Sequence, residues 1–126
     1  MEPTTVAPCD RVGDDGPFVR EILSRIGDKW TVLCIGTLAT GPLRYSELLA
    51  QVPGISQRML TVTVKQLQRD GLVTRTAYPE VPPRVEYELT SLGESLLSIV
   101  LGLAHWASEH REEIRHNRER FPNAVV

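Results

Sequence analysis

Between Leu72 and Thr90 the apolar pattern stops repeating like a helix and starts repeating like a strand. The runs "LVTRTAY" and "RVEYELT" are rich in β-branched and aromatic residues, which suit a pleated, half-buried surface. In the second run Val85, Tyr87 and Leu89 alternate with Arg84, Glu86 and Glu88, a period of two. The segment "PEVPP" between the runs allows only a turn or a stiff tip, because proline fixes φ and donates no hydrogen bond. One hairpin is therefore expected, set in a chain whose remaining pattern is helical. The fold class that follows is mainly α with a small β-hairpin.

The helical part divides into short pieces. Residues 1–16 mix Pro, Thr, Asp and Gly without period and read as a flexible N-terminal arm. Phe18, Ile22 and Ile26 step at helical spacing behind Pro17. Asp28 can cap a second helix, with Trp30, Leu33, Cys34 and Leu38 on one face and Ile35 widening it. Gly41-Pro42 ends that helix. A short third helix carries Tyr45, Leu48, Leu49 and Val52 inward, and Pro53-Gly54 closes it. Ser56 caps a fourth helix that runs to Gly71. After the hairpin, Ser91-Leu92-Gly93-Glu94 fits a capping box, and a long helix follows. Its residues Leu92, Leu96, Ile99, Leu103 and Trp106 form an apolar seam longer than so small a core needs. Past about His110 the chain becomes charged and is expected to fray. A single domain over 17–117 is expected, with 118–126 as a tail.

Composition narrows the classes. With 126 residues, 41% of them hydrophobic, the chain suits one domain with an ordinary core. A formal net charge of −2 argues against coating nucleic acid by global charge, yet leaves room for a local basic face. Two cysteines are too few for a disulfide scaffold and point to a reducing, cytoplasmic setting. The N-terminus has no basic region followed by an apolar run, so no signal peptide is expected. The apolar stretches fall short of the roughly 20 residues that span a bilayer, so no membrane partner is expected.

The fourth helix is the most informative element. At about 100° per residue, Arg58, Thr61, Val62, Lys65 and Arg69 fall within an arc of roughly 100°. Leu60, Val64 and Leu67 take the opposite side and would meet the core. β-Branched residues lose rotamer freedom in helices, so Thr61, Val62, Thr63 and Val64 are odd choices for a helix with an idle exposed face. Short methyls flanked by Arg, Gln and Lys suit a major groove, where methyls meet thymine and Arg or Gln pair with base edges. A solvated amphipathic face is the alternative reading of the helix alone. The order of elements favours the first: a short helix, a Pro-Gly turn, a capped basic helix and a hairpin describe a helix-turn-helix with a β-wing, although each Arg taken singly still reads as solvated surface. In that arrangement Gln57, Arg58, Thr61 and Val62 read bases, while Lys65, Arg69, Arg75 and Arg84 anchor phosphates. Ser56 and Gln57 lie where first-turn amides favour anions, and Arg44 is a further phosphate candidate.

The segment "IGDKWTVLCIGTLATGPLRYSELLAQVPGISQRMLTVTVKQLQRDGLVTRTAYPEVPPRVEYELTSLGESLL" resembles the HxlR-type winged-helix transcriptional regulators of bacteria. The likeness extends over about Cys9 to His110. It is carried by Gly27-Asp28-Lys29-Trp30, Gly41-Pro42, "PGIS" and "YPEVPPRVEYELT" in that order. The resemblance implies a homodimer that binds pseudo-palindromic double-stranded DNA through paired reading helices and wings. It also implies a dimer interface built from the first and last helices, here Phe18 and Ile22 with Leu96, Ile99, Leu103 and Trp106. Members commonly carry a cysteine before the first helix that in some senses oxidants or electrophiles. Cys9 holds that place, but Asp10 follows it where the family has proline. Cys9 is thus either a redox sensor or an idle thiol, and an oxidant or small-molecule effector remains open. Whether the regulator activates or represses is not written in the residues.

Little here suggests an enzyme. His105, His110 and His116 are spaced by five and six residues and do not share a face, so no metal is expected on them. "HREEIRH" lacks the His-Glu-x-x-His order of zinc proteases. No Gly-rich phosphate loop is present, and no cofactor is expected. Cys34 reads as a small core residue. Two rivals stand beside the DNA-binding reading: a winged helix that meets an acidic protein, and a small-molecule receptor with a pocket between the seam and the Trp30 helix.

Overall fold

The computed structural model describes residues 15–122. The expected arm, Cys9 included, lies almost wholly outside them. Helix α1 (Gly16–Ile26) opens with Pro17 in its first turn, where a missing N–H costs nothing. Helix α2 (Lys29–Thr37) starts where the Asp28 carboxylate accepts the Trp30 amide at 2.9 Å. It packs against α1 and against three later helices, so its buried face is broader than one stripe. That rotates the expected face. Cys34, Ile35 and Leu38 are buried as expected, but Thr31 is buried with them while Leu33 turns outward.

After a 3-10 turn at Leu38–Thr40 comes Gly41, whose φ of +133° is open only to glycine at low cost. Strand β1 (Leu43–Arg44) follows, an element too short to announce a period. Helix α3 (Tyr45–Gln51) buries Leu48, with Val52 just beyond it. Helix α4 (Gln57–Arg69) is capped by Ser56, whose hydroxyl accepts the Met59 amide at 3.1 Å. It buries Leu60, Thr63, Val64 and Leu67. Gly71, at φ +78°, ends it: the Leu72 amide reaches the Leu67 carbonyl at 2.9 Å and the Gly71 amide reaches Gln68 at 3.0 Å.

Strands β2 (Val73–Tyr78) and β3 (Arg84–Leu89) form the expected hairpin, and β1 adds to its far side, giving the antiparallel order β1-β3-β2. The register sets Val73 opposite Leu89, Arg75 opposite Tyr87 and Leu43 opposite Tyr87. Helix α5 (Ser91–Glu109) is capped one residue earlier than expected. The hydroxyl of Thr90, not Ser91, accepts the Gly93 amide at 3.0 Å and donates to the Gly71 carbonyl at 2.6 Å. The Thr90 amide also bonds the Leu72 carbonyl, so the sheet itself places the cap.

The expected fraying after His110 is replaced by a further helix, α6 (Arg111–Arg120), which runs past residue 117. Its first turn carries Glu112 and Glu113 and its last turn Arg118 and Arg120, charges that complement the helix dipole. At the junction the His110 ring stacks on Trp106 at 4.9 Å. The core joins Ile35, Leu38, Leu48, Leu60, Val64 and Leu67 to Tyr87, Leu96 and Val100. The fold is mainly α with a small β-hairpin, a winged helix-turn-helix. No helix of the described residues is long and apolar enough to cross a membrane.

Candidate nucleic-acid interface

Two tethers hold α4. The first is Tyr45, at the start of α3, whose hydroxyl donates to the Gln57 carbonyl at 2.8 Å. The same oxygen lies 2.8 Å from the Thr61 hydroxyl, and since its one proton goes to Gln57, Thr61 is the donor there. The second is the ion pair between Arg25 of α1 and Asp70, the residue that caps the far end of α4. Asp70 and Glu21 together hold the Arg25 proton more firmly than usual, the Asp70 hydrogen bond first. Sequence reading placed Tyr45 among inward apolar residues and passed over Arg25. The signal available was the phenol itself, since a half-buried tyrosine usually seeks a partner for its hydroxyl.

Between these tethers α4 presents one face. Gln57, Arg58, Val62, Lys65 and Arg69 are exposed, and Thr61 is half-buried under Tyr45. None of Arg58, Lys65, Arg69 and Arg75 forms an ion pair among the described residues. Their charge is therefore not cancelled locally. The hydroxyl of Ser56 is occupied as the cap. The first-turn amides of Gln57 and Arg58 precede the helix's own hydrogen-bond ladder, leaving a partial positive end on this face.

The two wing arginines differ. Residues directly opposite in an antiparallel pair share a sheet face, so Arg75 lies on the side of Tyr87, Val73 and Leu43. That is the side turned to the helices. Arg84 lies on the other side with Tyr78, and its charge is engaged. Its guanidinium donates to Glu80 at 2.7 Å and to Glu86 at 2.6 Å and covers the Tyr78 ring at 3.8 Å. The hydrogen bonds to Glu80 and Glu86 raise the affinity of Arg84 for its proton, and the bond from Arg84 holds the Glu80 carboxyl below its ordinary value. Sequence reading missed this brace, because a spacing of four signals a charge pair on a helix and not across a hairpin tip. Arg44 is exposed on β1 opposite Glu86, and its amide donates to Glu47 at 2.8 Å.

The expected dimer residues separate into two groups. Phe18, Ile99, Leu103 and Trp106 are more than half exposed, with Leu92 beside them. Leu96 is only 8% exposed and packs into this chain's own core with Val100, while Ile22 is half-buried. The reason is rotation: α5 covers α2 with one edge and leaves the adjacent edge bare. Cys34 is enclosed, and burial, helped by the Asp28 charge, pushes its thiol up to about 11. No group of metal-binding side chains occurs among the described residues.

Comparison with known proteins agrees with this geometry. Residues 25–115 match the model of the family described as HxlR-like helix-turn-helix. An HTH-type transcriptional regulator of Methanothermobacter thermautotrophicus is 42% identical over 115 residues, spanning 90% of this chain and 88% of that protein. The solved structure of the transcriptional regulator YtfH from Salmonella typhimurium superposes with a TM-score of 0.73 at 38% identity, covering 80% of this chain and 90% of that one. The redox regulator HypR in its reduced form superposes with a TM-score of 0.72 at 38% identity, covering 78% and 97%. A tethered basic helix beside a three-stranded wing, with this likeness along most of its length, leaves one assignment: the chain belongs to the HxlR-like helix-turn-helix family of DNA-binding transcriptional regulators.

Proposed function

We propose that the protein acts as a homodimer on a pseudo-palindromic operator, with α4 of each copy in the major groove. The observation that carries this is the uncancelled cationic face of α4, held at both ends by Tyr45 and by Arg25–Asp70. Gln57, Arg58 and Val62 face the base edges, with Thr61 offering its methyl because its hydroxyl is engaged. Lys65, Arg69 and Arg75 meet phosphates, with Arg44 and the Ser56 turn at the margin. Arg84 shapes the wing, and reaches a phosphate only by exchanging Glu80 for it. Dimerisation joins the bare edges of α1 and α5 through Phe18, Ile99, Leu103 and Trp106. A two-fold axis then sets half-sites about one helical turn apart.

The test is an anisotropy titration with duplex DNA from upstream of the protein's own gene, against a scrambled duplex, at several salt concentrations. Tight binding to the first duplex alone is expected. Arg58→Ala should relax preference at particular bases at a cost of about 1–3 kcal/mol. Lys65→Ala should weaken both duplexes alike and reduce the salt slope by about one unit. Equal affinity for both duplexes, unchanged by either substitution, would point instead to a protein-interaction module.

An oxidant response through Cys9 belongs to the same proposal. Its support is that Cys34 is enclosed and protonated, and that the structurally similar HypR is a redox regulator. Treatment with diamide should change operator affinity in the parent and leave Cys9→Ser unaffected.

A further inference from the structure

We propose that Tyr45 is a positioning residue for base preference, because it takes the one proton that Thr61 can donate. The proposal rests on the reading that α4 lies in the major groove, and concerns what position 61 offers a base there. The Tyr45 hydroxyl donates to the Gln57 carbonyl at 2.8 Å and accepts from the Thr61 hydroxyl at 2.8 Å. A phenol has one proton and a carbonyl has none, so the direction of both bonds is fixed. Thr61 belongs to the face that carries Arg58, Val62 and Lys65, yet it is half-buried and its proton is spent inside the protein. What it keeps for a base is a methyl and an oxygen that only accepts.

Major-groove edges make that shortage count. Both purines present N7 and guanine adds O6, and all of these are acceptors. A threonine with a free proton can satisfy any of them, whereas Thr61 held by Tyr45 satisfies none. It is left to apolar contact, for which the thymine methyl is the partner among the bases. Tyr45 exerts this from outside α4. It begins α3 directly after Arg44, which pairs with Glu86 of β3 and whose amide donates to Glu47 at 2.8 Å. Its ring packs against the core. The phenol oxygen is therefore placed by the sheet and by α3, not by the helix it constrains. Without that oxygen, the Thr61 hydroxyl would have only the Gln57 carbonyl one turn back in its own helix, a weak bond that a base acceptor can displace.

The test is selection of bound duplexes from a randomised DNA pool, sequenced before and after, with the full chain and three variants: Tyr45→Phe, Thr61→Val and the two combined. The parent should select thymine at one symmetry-related pair of positions. At that pair alone Tyr45→Phe should enrich purine about fivefold over the parent, the worth of one hydrogen bond. Thr61→Val, which has no proton to give either, should keep the parent's profile, and adding it to Tyr45→Phe should restore that profile. An unchanged profile in Tyr45→Phe would overturn the proposal. So would a change that persists in the combined variant or spreads to every position α4 reads, which is what a merely loosened helix gives. Should Tyr45→Phe not fold, a Thr61→Val profile that departs from the parent's would overturn the proposal by itself. The two failures are distinct: a parent that selects no sequence overturns the groove reading and this proposal with it, whereas a selective parent copied by Tyr45→Phe overturns this proposal alone.

Discussion

Cys34 shows how much one residue's surroundings decide. A thiol is reactive as the thiolate, and burial withholds that form by pushing the group up to about 11. In a Cys9→Ser background, Cys34 should react slowly with a disulfide reagent in the native state and quickly once unfolded; fast native labelling would contradict the packing. The sign of its pH effect is also set. A thiol whose proton is held more firmly when folded costs stability as pH rises beyond the ordinary thiol range toward 11. Gly93 makes a different point at the same scale. A Cβ there would overlap the Leu72 carbonyl oxygen, so α5 crosses the sheet edge only because that side chain is absent. Gly93→Ala should cost about 1–3 kcal/mol in urea unfolding, since backbone, unlike a flexible side-chain tip, yields little.

Among the elements, the wing is the one whose chemistry differs most from its sequence pattern. Alternation along "RVEYELT" announced the strand and its buried Tyr87, but it could not say which charges would pair. Arg84 is clasped by Glu80 and Glu86 and laid on Tyr78, whereas Arg75 on the neighbouring strand has no ion pair among the described residues. The Glu80 carboxyl is held below its ordinary value, chiefly by the hydrogen bond from Arg84. A carboxyl shifted down contributes stability above its unfolded value and loses it as pH falls through the lowered one. The brace should therefore survive at about pH 4.3, where a free glutamate is half protonated, and open below it. Carboxyl carbon shifts of Glu80 followed by NMR would check this, and an ordinary glutamate titration would refute it. Glu80→Gln removes one of the two carboxylates on Arg84, leaves Glu86 as its partner, and should raise affinity for all duplexes alike.

For the molecule as a whole, the bare edge of α5 is the feature a monomer does not explain. Leu103 is 59% exposed and does not belong to this chain's core. Leu103→Asp should leave thermal stability of the isolated chain nearly unchanged, shift light scattering from dimer to monomer mass, and weaken operator binding. An unchanged mass would move the interface elsewhere. The buried edge of the same helix behaves oppositely. Leu96 was expected to share the seam, yet it packs within its own chain beside Val100.

Local chemistry was readable from the residues because it is local. Caps such as Asp28 and Ser56, the period-two hairpin and the one-sided cations of α4 each depend on neighbours a few positions away. The family likeness and the helix-turn-helix followed from their order. What needed the tertiary structure was every contact made across the chain. The two-residue strand β1 exists only because β3 offers it hydrogen bonds. The Thr90 cap sits where the sheet delivers it, and α2 turns Thr31 inward because helices close on it from several sides. The tethers from Tyr45 and Arg25 join residues 16 and 45 positions apart. Periodicity tells which face of an element is apolar, but only packing decides which edge of that face this chain covers and which it leaves for a partner.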